Sequence, residues 1–239
     1  MSGFDSDTID KILALAESKM IKVGTRDYLQ TIYGVEKIMP PCPSEINVCG
    51  FQGVLDFMDT EGISTDNVYL HVMSPTRVEL ISKIEGEWKT RARFVYADAH
   101  ECQFVFGRYY DHESFIIALM THFEQDEVTA DLLSKIGNIS DGTVIGRDDD
   151  GVTQEVTVKK GITRKDTAAV KNPVKLAPMR SFAELSKQPS SNFVFRMRSG
   201  DGHPSLALFE ADGDMWMLEA IASIKDWFKT NMEALKVVA

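Results

Sequence analysis

The sequence predicts an α+β fold of antiparallel sheets covered by amphipathic helices, and three observations predict it. Stretches such as Phe193-Val194-Phe195-Arg196-Met197-Arg198 alternate with period two, the mark of a strand with one face buried. Stretches such as Phe115, Ile116, Leu119, Met120 and Phe123 recur at helical spacing, the mark of an apolar stripe. Both patterns meet in residues 182–228, where strand patterns and a final amphipathic helix follow in the order β-β-β-α.

Each element has its own local reason. Residues 5–19 place Ile9, Ile12, Leu13 and Ala16 on one helical face, with Asp7 as N-cap. Residues 20–35 suggest a hairpin turning near Gly24-Thr25. Pro40-Pro41-Cys42-Pro43 fits neither a helix nor a central strand, so it reads as a stiff connector. It sets the first boundary of a three-part organisation. Residues 1–39 hold the N-terminal helix and hairpin, 40–137 a β-rich region with two covering helices, and 138–239 the β-β-β-α region, which can share a domain with its predecessor.

Within the second region, Ile46 to Cys49 suggests a strand, and a helix follows through Val54, Leu55 and Met58 to end before Gly62. Strands are expected at 68–73 and 77–84, around a turn at Ser74-Pro75. After a turn at Gly86, residues 88–96 set Trp88, Ala92, Phe94 and Tyr96 on one face, with Arg91 and Arg93 on the other. His71 falls in this sheet and reads as a histidine hydrogen-bonded in place. Helices are expected at 112–123, capped by Asp111, and at 126–136, stopped by Gly137-Asn138.

In the third region, Asp148-Asp149-Asp150-Gly151 lies between Val144–Arg147 and Val152–Val158, and its Asp-Gly is a hairpin signal. The closing block follows: a strand over 193–198, a turn at Gly200-Asp201-Gly202, a strand at Leu206 and Leu208, a turn at Asp212-Gly213-Asp214, and a short strand Met215–Met217. The final helix then buries Ile221, Ile224, Phe228, Met232 and Leu235 against one sheet face, leaving Arg196 and Arg198 on the other.

Composition narrows the function classes. The chain has 239 residues, 44% hydrophobic, enough apolar content for one large core or two small ones. No run reaches the roughly 18 apolar residues that span a bilayer, and the acidic start lacks the pattern of a secretory signal. A soluble intracellular protein with no membrane partner is expected. Net charge is -10, which repels nucleic acid unless the cations are segregated. They are segregated in part. Lys159, Lys160, Arg164, Lys165, Lys171, Lys175 and Arg180 stand against the single acid Asp166. A solvated loop, a self-assembly contact with an acidic neighbour and an anion or nucleic-acid site all fit this stretch.

Candidates for chemistry are few. Cys42, Cys49, His100 and Cys102 lack the close thiolate spacing of zinc sites, and the three cysteines read as buried structural thiols. Asp148, Asp149 and Asp150 offer carboxylates to a hard cation, but without the alternation or distal glutamate of a calcium loop; a plain turn is the competing reading. No nucleophile–base pair or phosphate loop is evident, and no cofactor is expected.

A resemblance adds context. Four groups of residues carry a likeness: Phe115-Ile116-Ile117; Asp149-Asp150-Gly151-Val152-Thr153-Gln154; Arg180-Ser181-Phe182 with Gln188-Pro189-Ser190-Ser191; and Phe193-Val194-Phe195-Arg196 with Leu208-Phe209-Glu210-Ala211-Asp212-Gly213. On these residues the chain resembles the YfdQ-like proteins of phages and prophages, over about residues 45–235. The resemblance implies a phage-encoded protein of uncharacterised biochemistry and carries over no catalytic residues. The expected function is a non-enzymatic accessory protein acting as a homo-oligomer. The alternatives are a nucleic-acid or nucleotide-binding factor, using the basic stretch with Trp88, Phe94 and Tyr96, and a metal-dependent enzyme using Asp148–Asp150.

Overall fold

The computed structural model describes residues 7, 10, 11, 13, 19–24, 26–31, 33–38, 43–84, 89–100, 102–137, 139, 153–160, 164–200 and 203–239, with 37, 153–160, 164–169, 199 and 200 described by backbone alone. The protein is α+β. The chain divides into two units, residues 1–43 with 85–90, and residues 44–84 with 91–239.

The first unit carries a three-stranded antiparallel meander of β1 (Lys19–Val23), β2 (Arg26–Thr31) and β3 (Gly34–Lys37). The turn at Gly24 joins the expected hairpin, and β3 extends it by a strand that the sequence pattern did not show. Asp7, Asp10, Lys11 and Leu13 are helical, and Lys19, the last residue of the expected helix, begins β1 instead; its other residues, and the connector at 40–42, lie outside the described residues.

The second unit is built around two cores. One five-stranded sheet has the order β14-β5-β6-β7-β4, from Val237–Val238, Val68–Ser74, Arg77–Ser82, Arg93–Asp98 and Ile46–Cys49. Its centre is antiparallel, but β4 and β14 join the edges in parallel. Helices α1 (Gly50–Thr60) and α4 (Met215–Asn231) cover one face, closing a core with Phe51, Leu70, Leu80, Ile224 and Phe228 fully buried. Each such side chain contributes about 2–3 kcal/mol by leaving water.

The second sheet has the order β11-β12-β13-β8, from Val174–Leu176, Ser191–Gly200, His203–Glu210 and Tyr110–Asp111, all antiparallel. Helices α2 (His112–His122) and α3 (Glu127–Gly137) cover it, burying Phe115, Leu119, Phe123, Leu132 and Ile136 against Phe193, Phe195 and Leu208. Asp111 caps α2 by accepting from the Ser114 N–H at 2.9 Å, and Asp126 accepts from the Thr129 N–H at 2.8 Å before α3. This sheet takes β8 from before position 138 and its other strands from after it.

Several expectations are corrected. Met215–Met217 is the first turn of α4, not a strand, because Trp216, Ala220, Ile224 and Phe228 share one buried helical face. Met232 and Leu235 lie beyond that helix. It also covers the five-stranded sheet rather than the sheet of its preceding strands. In β7 the core side chains are Val95 and Ala97, so Tyr96 joins Arg93 on the opposite face. A register irregularity at Leu80/Ile81 shifts the phase that simple alternation assigns. The turn at Gly86 lies outside the described residues.

Candidate functional site

The basic stretch is mostly strand, which corrects the loop reading. Its first half builds a two-stranded antiparallel sheet of β9 (Thr153–Lys160) and β10 (Arg164–Lys171). The register sets Lys160 opposite Arg164 and Lys159 opposite Lys165, so four cationic residues meet at one end of the ribbon. Like charges placed directly opposite oppose pairing, which makes this end a natural place for an anionic partner. Among the described residues β9 and β10 pair only with each other. A lone two-stranded ribbon is marginal in water, and both its outer edges present backbone groups for pairing.

The other basic residues go elsewhere. Lys171 ends β10 opposite Thr153, and Lys175 lies in β11 opposite Asn192. Both line a groove of about 470 Å³ beside α3, where Lys135 binds Asp131 at 2.6 Å. Arg196 and Arg198 lie on β12 opposite Ala207 and Ser205; Arg196 is half-buried, and the Arg198 guanidinium sits 3.9 Å above the Tyr109 ring. Asp148, Asp149 and Asp150 lie outside the described residues, as do Cys42 and Trp88. Cys49 and Cys102 are free thiols, and Cys49 is exposed and Cys102 only half-buried, which corrects the expectation of buried thiols. Among the described residues no group of three or more His, Cys, Asp or Glu is arranged to hold a metal.

Arg180, grouped by sequence with the other cations of the stretch, is buried. Its Nη1 donates to Glu210 Oε1 at 2.5 Å, and its Nη2 donates to the Ser191 hydroxyl, which donates in turn to Asp212 Oδ2 at 2.5 Å. The guanidinium lies 3.7 Å from the Trp216 ring centre. Burial pulls its pKa down, while Glu210 and Asp212 keep it charged. This network ties β12, β13 and the start of α4 together, which is a structural task.

The five-stranded sheet has a polar face opposite its helices, for which the sequence reading named Arg91 and Arg93 but not Glu79. Glu79, an acidic residue, is buried there. His71 Nδ1 lies 2.8 Å from its Oε1, and Arg93 Nε lies 3.6 Å from its Oε2. A groove of about 400 Å³ opens beside them, lined also by Tyr69, Ile81, Arg91 and Val238. Arg91 lies 5.4 Å over the Tyr69 ring, and Arg77 lies 4.1 Å over the Tyr96 ring. The signal was present in period two: Tyr69 with His71, and Arg77 with Glu79, alternate with apolar residues.

No described helix is long and apolar enough to cross a membrane. No protein-family model, curated protein or solved structure matches this chain.

Proposed function

We propose that this chain is a phage-encoded accessory protein of the bacterial host cytoplasm that acts without catalysis, by assembling with copies of itself. One observation carries the reading: two eight-residue strands that, among the described residues, pair only with each other bring four cationic residues to one end of their ribbon, on a chain of net charge -10. Apart from residues 159–180 the chain carries about -16, so another copy offers the opposite charge that the ribbon end calls for. Light scattering at micromolar concentration tests it. A mass that is a multiple of 26.7 kDa is expected; a monomer alone overturns the reading.

A second reading is favoured by the polar sheet face. Arginines beside tyrosines on an open sheet suit single-stranded nucleic acid, whose bases stack on aromatic rings while its phosphates meet cations. Glu79 and Asp98 on the same face reduce its positive charge, which ranks this reading second. Saturable binding of a labelled single strand that falls steeply with salt would establish it. The first reading expects no retention even at low salt.

A further inference from the structure

We propose that the cationic end of the β9–β10 ribbon docks in an acidic groove along α4 of a second copy, an inference that rests on the assembly reading and names its contact. The groove is about 590 Å³ and lies between α4 and residues 184–187. Glu184, Glu219 and Asp226 line it against a single cation, Lys187. Glu219, Ser223, Asp226 and Thr230 recur at i, i+4, i+7 and i+11, so one polar stripe of α4 forms its wall. Leu185 and Trp227 add apolar surface for contact. Glu184 is anchored by the Phe51 N–H at 2.6 Å, so its charge is fixed at the site before any partner arrives.

The two surfaces are complementary. The groove carries three carboxylates and one ammonium group, whereas the ribbon end carries Lys159, Lys160, Arg164 and Lys165 within seven residues. Eight residues of strand reach about 26 Å, at roughly 3.3 Å per residue, enough to extend an end across a groove of this size. Because the two patches differ, the contact is head-to-tail, and it builds a ring if the rotation closes or a filament if it does not.

Charge reversal tests this by sedimentation velocity on the full chain. Reversing the ribbon end (K159E/K160E/R164E/K165E) and reversing the groove (Glu219→Lys with Asp226→Lys) should each lower the mass. Glu219 and Asp226 are both exposed, and circular dichroism checks that each variant stays folded. An equimolar mixture of the two variants should reassemble, since each then offers what the other lacks. The neutral pair Glu219→Gln with Asp226→Asn should weaken assembly by about tenfold. If the groove variants keep the wild-type mass, or if the mixture fails to reassemble, the docking inference falls while the assembly reading stands. A monomeric wild type removes both.

Discussion

Arg180 shows how a residue's neighbours in sequence mislead about its task. It follows a run of cations in the sequence, yet its partners are Glu210, Ser191 and Asp212, and none of them is local. Replacing it by Ala leaves the buried Ser191 hydroxyl and the Glu210 carboxylate without their donor and should cost about 3 kcal/mol in denaturant unfolding. Lys keeps the charge but loses the fork, so Arg180→Lys should recover less than half of that loss. No effect of Arg180→Ala would refute a structural role. Cys102 gives a second residue-scale expectation. Burial pushes its thiol pKa up, against a hydrogen bond at Phe104 and the charge of Arg180, so little thiolate forms near neutral pH. A maleimide should therefore label exposed Cys49 well before Cys102, as read by peptide mass. His71 was legible from sequence as a tethered histidine, because its pattern position already placed it in a sheet. The burial of its partner Glu79 was not, since it depends on strand pairing.

Elements were legible where their signals are local. The helix over residues 112–122 could be read with its cap, because Asp111 and Ser114 are three residues apart. The Ser114 hydroxyl and then its N–H hold the Asp111 carboxyl below the usual range. Its folded pKa is thus depressed, so the cap's contribution is complete above the ordinary aspartate pKa and lost as the pH falls through the folded value. Asp111→Ala should cost about 1 kcal/mol at pH 7, and the difference should close in acid. A gap that persists below pH 2 would mean that the carboxylate is not the cause. The start of α1 was not legible. Its N-cap residue, Cys49, makes no side-chain bond, and Glu184 serves the Phe51 N–H from far along the chain. Gly50 has φ +63, and an added Cβ would lie 1.8 Å from Glu184 Oε1. Gly50→Ala thus strains the backbone and displaces the cap, at about 2 kcal/mol or more. In the Glu184→Ala background the same change should cost less, because that carboxylate is already gone. The phase of β7 escaped for a similar reason, since a register irregularity shows only once the strands are paired.

At the scale of the molecule, the two cores of the second unit are joined by residues 177–188. Ala177 O accepts from the Glu124 N–H at 2.9 Å, and the Met179 N–H donates to His122 O at 2.8 Å, which holds this segment to the α2 side. Two residues on, the Ser181 hydroxyl donates to Pro75 O at 2.6 Å, and Phe182 and Leu185 enter the other core. Phe182 lies 4.2 Å from Phe51, ring centre to ring centre. The Gln188 N–H then returns to Glu124 Oε1 at 2.5 Å. A segment that is anchored in one core and filled into the other couples their unfolding, because neither core can open without leaving buried polar and apolar groups unpartnered. Phe51→Ala and Phe115→Ala, one in each core, should therefore each lower the stability of the same transition by about 3–5 kcal/mol. Near-ultraviolet and far-ultraviolet circular dichroism should report one coincident denaturant midpoint for residues 44–84 and 91–239 in both variants. Two separated transitions, with each substitution moving only one of them, would show that the cores unfold independently and that the 177–188 segment is a tether rather than a shared wall.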